Sequence, residues 1–156
     1  MTMLDERQTQ DASAVTDLAV LATAYVSLQR QNVRVASMVA DALEIGPTDL
    51  RSIMYAAWNE NLTPKQLAAY LQLTTGATTS LVDRVVSAGL LVREPHPTDR
   101  RSQMLSLTPK GRQSVDLVLA TYRHAFEAAL SPAEVIPAAV LIEAIAASLA
   151  TAQLAV

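Results

Sequence analysis

The chain has 156 residues, of which 51% are hydrophobic but only six are aromatic, and its formal net charge is −3. One domain is expected at this length, and abundant alanine favours closely packed helices over a sandwich or a barrel. The absence of cysteine excludes disulfides, thiolate zinc sites and cysteine-based redox switches. The first dozen residues carry mixed charge without an apolar run, so we expect no signal peptide and a cytoplasmic protein.

Charge is distributed unevenly along the chain. Residues 61–112 hold seven basic and three acidic side chains, whereas residues 1–60 hold four and eight, and residues 113–156 hold one and four. A local basic region is what binding to phosphate groups requires, while total charge mainly affects solubility and long-range steering. The pattern therefore predicts a phosphate-binding surface in the middle third.

The first two predicted elements are helices. Residues 13–43 contain neither proline nor glycine and repeat apolar side chains at helical spacing, which predicts a long helix with a break near Gln29–Asn32. The residues before it are expected to be frayed. Gly46-Pro47 ends this helix and opens a second one, which reaches about Trp58. Its apolar face comprises Leu50, Ile53, Met54, Ala57 and Trp58.

Two helix-start signals close together predict a helix-turn-helix. Thr63-Pro64-Lys65-Gln66 provides a capping residue, a proline at the first helical position and a glutamine that completes a capping box. This helix reaches Leu71, and after a short turn Thr74 caps the next helix, which ends where Gly89 suits a left-handed conformation. The predicted shared core comprises Leu67, Ala68, Leu71, Leu73, Leu81 and Val85.

A β-hairpin is predicted directly after the helix-turn-helix. Residues 90–94 and 102–107 have strand character, and the second segment alternates apolar and polar side chains. The loop between them, residues 95–101, is polar and ends with two arginines. The pattern indicates a hairpin with a projecting, basic tip.

Two further helices are predicted to complete the chain. Thr108-Pro109 begins a helix that reaches about Leu130, and Ser131-Pro132-Ala133-Glu134 is a second capping box that begins the last one. Pro137 lies early in that last helix and is expected to delay or kink it.

The last predicted helix is unusually apolar. Residues 135–156 contain one charged side chain, Glu143, and are almost long enough to span a bilayer. Pro137, the interspersed polar residues and the lack of flanking basic or aromatic anchors disfavour a membrane span. We expect no membrane partner, and we expect this helix, together with the N-terminal helix, to be buried in a dimer interface.

The chemistry of the central region fits DNA. A recognition helix directs its N-terminal half toward base edges, threonine methyl groups can contact thymine, and a basic hairpin tip can enter the minor groove. Residues predicted to lie near bases are Thr75, Gly76, Thr78, Thr79 and Ser80 on the helix, with Arg100 and Arg101 at the hairpin tip. Predicted contacts with the DNA backbone are Lys65, Arg84, Arg93, Lys110 and Arg112. For each charged side chain alone, the alternative is an ordinary solvated charge.

Asp83 requires a separate explanation, because a free carboxylate in a basic region would repel phosphates. We predict that it forms an ion pair that positions Arg100 or Arg101. The alternative is a carboxylate on the helix surface without a fixed partner.

The segment from Leu62 to Arg112 resembles the winged helix-turn-helix of MarR-type transcriptional regulators. The most specific parts are Leu81-Val82-Asp83-Arg84, Gly89-Leu90-Leu91-Val92-Arg93, Asp99-Arg100-Arg101 and Leu107-Thr108-Pro109-Lys110-Gly111. The resemblance implies a mainly α fold of about six helices plus a β-hairpin wing, in a single MarR-like domain over residues 1–156. Residues 12–45 and 113–156 would form the helical dimerisation region and residues 47–112 the DNA-binding region.

The resemblance also implies a homodimer on double-stranded DNA, with two recognition helices in successive major grooves and wings in the minor groove. Asp99 would stabilise the wing beside its two arginines. Many members of the family release DNA when a small aromatic or anionic effector binds. Three positions depart from the family pattern: Ser80 replaces a basic or amide residue, Gln72 a glycine and Thr78 an apolar residue. Specificity is therefore expected to depend more on the wing and on DNA shape.

These observations favour a homodimeric repressor that binds a pseudo-palindromic operator and is released by a small molecule. The alternative is a winged-helix module for protein–protein interaction with reduced DNA binding. An enzyme, a metal or a cofactor is not expected, because two histidines, His96 and His124, and four glycines provide little for an active site. Tyr25, Tyr55 and Trp58 could line an effector cavity, although core packing is favoured for each.

Overall fold

The structure is a computed structural model that describes residues 3–95 and 103–152, with side chains from residue 17 onward in those ranges. Within them the chain forms six helices and one β-hairpin. The elements are α1 (Met3–Ala42), α2 (Pro47–Ala57), α3 (Pro64–Leu71), α4 (Thr75–Ser87), β1 (Leu91–Pro95), β2 (Gln103–Leu107), α5 (Pro109–Ala129) and α6 (Pro132–Ala150). This order confirms the predicted mainly α, winged helix-turn-helix fold.

Helix α1 is longer and more regular than predicted. It begins at Met3 and continues through Gln29–Asn32, so the predicted break is wrong. Polar side chains there hydrogen-bond along the helix surface: the Gln29 amide donates to the Tyr25 hydroxyl at 3.1 Å, and the Asn32 amide donates to Gln29 Oε1 at 3.1 Å. These residues are satisfied without interrupting the backbone ladder.

The helix-turn-helix forms as the caps predict. The Gln66 N–H donates to Thr63 Oγ1 at 3.3 Å, the Thr63 N–H donates back to Gln66 Oε1 at 2.8 Å, and the Ala77 N–H donates to Thr74 Oγ1 at 3.3 Å. Between the helices, Gln72 adopts a left-handed conformation with φ of 55°. A left-handed conformation favours glycine, because a side chain makes it costly.

The end of α4, the first strand and the start of α5 meet in one tight junction. Gly89, at φ of 71°, ends α4 in a Schellman motif in which the Leu90 N–H donates to the Val85 carbonyl at 3.0 Å. The Thr108 hydroxyl donates to the Gly89 carbonyl at 2.6 Å and accepts from the Gly111 N–H at 3.0 Å. A Cβ atom on Gly111 would lie 2.1 Å from the Leu90 carbonyl oxygen, so this approach requires glycine.

The hairpin is antiparallel and anchored on the helix-turn-helix. Leu91 pairs with Leu107 and Arg93 with Leu105, and the Leu105 N–H donates to the Leu62 carbonyl at 2.7 Å. Leu91 and Leu105 are buried. The base of the wing is therefore fixed both by its own ladder and by the segment that precedes α3.

An ion pair between a buried Asp49 and an exposed Arg84 joins α2 to α4. The Asp49 carboxylate is 3% exposed and accepts from Arg84 Nε at 2.9 Å and from Arg84 Nη2 at 2.6 Å. It also accepts from the Gly46 N–H at 3.1 Å, at the start of α2. Hydrogen bonding to Asp49 raises the pKa of Arg84 above its ordinary value, although partial burial opposes the shift. The guanidinium thus remains charged while it holds two elements together.

The core lies where these elements meet. Its buried side chains include Val39, Ala40, Leu50, Ile53, Leu62, Leu67, Leu71, Leu81, Val82, Val85, Leu90, Leu91, Leu105 and Val115. Of the predicted shared core, Ala68 and Leu73 are only partly buried. Trp58 is 61% exposed, so the prediction that it packs with the apolar face of α2 is wrong. It lies at the C-cap of that helix, beyond the last helical residue.

The chain divides into two compact units, Met1–Val115 and Asp116–Val156. The second unit contains most of α5 and all of α6. No residue of α6 is buried, and Ile136, Leu141 and Ile142 are among its exposed apolar side chains. Among the described residues, α6 is the one helix that could cross a membrane by length and composition. Pro137 lies within it without ending it.

The glycine junction yields a stability prediction with an internal control. Gly111→Ala should lower the free energy of unfolding by about 2 kcal/mol, because the new methyl group meets a backbone oxygen. Gly76→Ala should raise it by about 0.5–1 kcal/mol, because Gly76 lies in α4 with open space around it. Urea denaturation measures both changes. Equal effects of the two substitutions would contradict the close approach at Gly111.

The ion pair yields a second stability prediction. Arg84→Met should destabilise the fold by about 2 kcal/mol, because it leaves the buried Asp49 carboxylate without its cation; the value is discounted because the Arg84 side chain is 57% exposed. Arg93→Met is the matched control, because its partner Asp83 is 57% exposed, and it should cost less than about 1 kcal/mol. Chemical denaturation that finds the two variants equally stable would contradict a structural role for Arg84.

Candidate nucleic-acid interface

The exposed face of α4 contains most of the residues predicted to lie near bases. Thr75, Gly76, Thr79 and Ser80 are all exposed in its first two turns. The Thr74 cap begins the helix immediately before them, and the core side chains of α4 lie on its opposite side. The structure therefore brings these four predicted residues together on one surface.

Thr78 does not belong to that surface, and the prediction that it contacts DNA is wrong. It is 3% exposed, and its hydroxyl donates to the Thr74 carbonyl at 2.9 Å. Its position is three, four and seven residues before Leu81, Val82 and Val85, which places it on the core side of α4.

The two exposed hydroxyl groups further along α4 are bonded to their own helix. Thr79 Oγ1 lies 2.9 Å from the Thr75 carbonyl oxygen, and Ser80 Oγ lies 3.1 Å from the Gly76 carbonyl oxygen. Since a carbonyl oxygen only accepts, each hydroxyl donates its single hydrogen to the backbone of its own helix. This part of α4 therefore presents the remaining lone pairs of these two oxygens and the Thr79 methyl group to a binding partner.

The predicted cations differ in how firmly they are held. Lys65 is exposed near the start of α3. Arg84 is held by Asp49, and its exposed side chain leaves further N–H groups for a phosphate. Lys110 donates to the Ala88 carbonyl at 2.8 Å, where a cation complements the C-terminus of α4.

Asp83 pairs with a strand arginine. Arg93 Nη2, on β1, donates to Asp83 Oδ1. β1 runs beside α4, and Arg93 reaches the carboxylate from that strand. The predicted pairing of Asp83 with Arg100 or Arg101 stays a prediction. Asp99, Arg100 and Arg101, the predicted tip of the wing, lie outside the described residues.

Sequence reasoning missed Asp49 and an aromatic cluster. Asp49 follows Gly46-Pro47 at the third helical position, a visible capping signal, but its partner lies 35 residues away. Tyr55 and Tyr70 stack with their ring centroids 3.8 Å apart, and the Arg51 guanidinium lies 5.7 Å from the Tyr70 ring. The packing of α2 on α3 creates this cluster, and no local pattern marks it.

An open cleft of about 390 Å³ adjoins the ion pair. It lies between the loop that connects α1 to α2 and the second half of α4. The lining residues are Glu44, Ile45, Gly46, Pro47, Thr48, Asp49, Arg84, Val85 and Ala88. A small molecule bound there would therefore contact both partners of the ion pair.

Comparisons with known proteins agree with this geometry. The sequence profile described as "MarR family" matches residues 28–102. The chain is 38% identical over 79 residues to the HTH-type transcriptional regulator YcgE of Bacillus subtilis, covering 50% of this chain and 51% of that protein. It is 30% identical over 87 residues to the multiple antibiotic resistance protein MarR of Salmonella typhimurium, covering 56% of this chain and 60% of that one. The chain thus spans only about half to three-fifths of these two relatives.

Solved structures share the fold over more of the chain. RV1404 from Mycobacterium tuberculosis is similar with a TM-score of 0.66 and 26% identity, over 87% of this chain and 96% of that one. MepR of S. aureus, in complex with DNA, is similar with a TM-score of 0.57 and 18% identity, over 79% and 95%. The relatives belong to a non-enzymatic class. Residues 28–102 therefore match the MarR family model, and the chain is similar in sequence to transcriptional regulators and in fold to winged helix-turn-helix proteins.

Proposed function

We propose that this protein is a homodimeric, cytoplasmic repressor that binds a pseudo-palindromic operator in double-stranded DNA and is released by a small molecule. The observation that carries the proposal is the exposed N-terminal half of α4, in a helix-turn-helix that lies within the only basic third of the chain. A helix presented in this way fits the major groove, with its first turns toward the base edges.

The wing would supply the second contact with DNA. β1 pairs with β2 at its base, and Arg100 and Arg101 lie between these two strands in the sequence. Arginine side chains at such a tip suit the negative potential of a narrow minor groove. Asp99 would orient them, while Lys65 and the exposed part of Arg84 would contact phosphates. The structure of MepR with DNA is consistent with this arrangement, because the two chains share a fold.

A second copy of this chain would cover the apolar helices of the two termini. Residues 12–45 and 113–156 would supply the dimerisation region, and residues 47–112 the DNA-binding region. Both α1 and α6 expose many large apolar side chains, more than a soluble monomer usually leaves uncovered. They include Leu18, Val20, Leu21, Val26 and Val33 on α1, and Val135, Ile136, Val140, Leu141 and Ile142 on α6. Two-fold symmetry would then match a pseudo-palindromic operator.

The cleft beside Asp49 and Arg84 is a suitable place for an aromatic or anionic effector. A carboxylate ligand would compete with Asp49 for the Arg84 guanidinium and so change how α4 is held against α2. An effector acts only if it binds the DNA-incompetent dimer more tightly, and coupling of about 1–3 kcal/mol is typical. A thermal-shift screen of phenolic acids, followed by release of bound DNA, checks this part of the proposal. Ligands that raise the melting temperature of wild type and Arg84→Met equally would contradict it.

The second candidate function is a winged-helix module for protein–protein interaction with reduced DNA binding. It is favoured by the absence of basic or amide side chains on α4 from Thr75 to Ser80 and by the exposed Trp58 and Tyr70 nearby in sequence. A pull-down that yields a stoichiometric protein partner and retains no DNA would support it.

DNA binding is predicted to depend on salt and on the wing. A gel shift with upstream DNA of the protein's own gene should show tight binding at low salt that weakens steeply as salt rises, because bound phosphates release counterions. Arg100→Ala or Arg101→Ala should each weaken binding by about 1 kcal/mol or more. Arg123→Ala, an exposed arginine on α5, is the charge-matched control and should change affinity little. The absence of binding at low salt would contradict the proposal that the protein is a DNA-binding repressor.

The oligomeric state tests the proposed role of α6. Light scattering should give the mass of two chains for the wild type. Leu141→Glu should shift the protein toward one chain, because it places a charge on an exposed apolar face that only a partner would bury. Glu143→Gln on the same helix removes a charge and should keep the dimer. A wild type that remains one chain at all concentrations would exclude the homodimer.

A further inference from the structure

We propose that Thr79 reads the methyl group of a thymine in the operator by apolar contact rather than by donating a hydrogen bond. This inference rests on the proposed DNA-binding function and adds the class of base that the recognition helix takes. Thr79 is exposed in the second turn of α4, within the part of a recognition helix that meets the base edges.

The hydrogen bond made by the Thr79 hydroxyl determines which groups of this side chain can contact a base. Its hydroxyl hydrogen is committed to the Thr75 carbonyl at 2.9 Å, so donating to a base would require it to leave that bond. A threonine whose hydroxyl points back along its own helix presents its methyl group and an oxygen acceptor on the exposed side. Ser80 has the same backbone bond at 3.1 Å but lacks the methyl group.

Stronger hydrogen-bond donors are missing from the first two turns of α4 or are engaged elsewhere. From Thr75 to Ser80 the sequence has no Arg, Lys, Asn or Gln. The next cation, Arg84, is held by Asp49, and the exposed Asp83 is paired with Arg93. No side chain on this part of the helix is therefore arranged to donate two hydrogen bonds to guanine.

The major-groove edges of the bases respond differently to such a surface. Guanine presents two acceptors, N7 and O6, which gain nothing from an oxygen whose hydrogen is already used. Thymine presents a C5-methyl group, which gains from apolar contact with a threonine methyl. The surface around Thr79 therefore favours thymine and disfavours guanine at the position it faces.

The test removes one methyl group at a time from each side of this contact. Duplexes are first selected from a randomised pool with the full chain at low salt. Each thymine of the selected half-site is then replaced by deoxyuridine, which keeps the hydrogen-bonding edge and loses only the methyl group. At one thymine, wild-type affinity should fall about fourfold, the loss expected for one buried methyl group.

Two substitutions at one position separate the methyl group from the hydroxyl group. Thr79→Ser keeps the hydroxyl and removes the methyl group, so it should bind thymine and deoxyuridine duplexes equally well. Thr79→Val keeps a methyl group and removes the hydroxyl, so it should still prefer thymine. Both changes are at an exposed position, and circular dichroism checks that the variants fold.

The outcomes separate this inference from the function on which it rests. A wild type that binds selected duplexes but never distinguishes thymine from deoxyuridine overturns the methyl contact and leaves DNA binding intact. A Thr79→Ser variant that keeps the preference overturns the assignment to Thr79. A pool from which the protein enriches no duplex overturns the proposed function together with this inference.

Discussion

The orientation of the recognition helix depends on one buried carboxylate. Apolar packing between α2 and α4 is non-directional, whereas the Arg84 guanidinium and the Gly46 N–H approach Asp49 along defined directions. A carboxylate that is 3% exposed must have these partners, because the charge would otherwise be buried without compensation. The pair therefore restricts the rotation of α4 against α2 more narrowly than the surrounding leucines and valines could.

The C-terminal end of α4, where Arg84 also lies, is held by side-chain bonds to its last carbonyl groups. Thr108 bonds the Gly89 carbonyl, Lys110 bonds the Ala88 carbonyl, and Gly111 allows α5 to pass against Leu90. These bonds and the Asp49–Arg84 ion pair hold α4 in place. The helix therefore needs little reordering when it binds a partner. Such preorganisation lowers the entropy lost on binding, so a modest set of contacts suffices for affinity.

Local signals made most of this fold predictable, whereas pairings between residues far apart in the sequence were not. The Thr63 and Thr74 caps and the left-handed Gly89 are each specified within a few residues, and the structure has all three. The Asp49–Arg84 pair spans 35 residues, and a charged side chain in sequence does not show which opposite charge it will meet. Thr78 is a different case: helical periodicity with Leu81, Val82 and Val85 indicates burial, whereas its place near the start of α4 favours contact with DNA.

Ion pairs within the fold determine which charged side chains remain available to contact DNA in the proposed complex. Arg84 and Arg93 each pair with a carboxylate, so the basic character of the middle third overstates the charge available to DNA. Contacts that depend on counterion release would then come mainly from Lys65 and the wing arginines. Sequence preference would come from the small side chains of α4, which require close approach and correct shape rather than charge. A ligand bound in the cleft beside Asp49 would contact Arg84 and would act on sequence preference through the way α4 is held against α2.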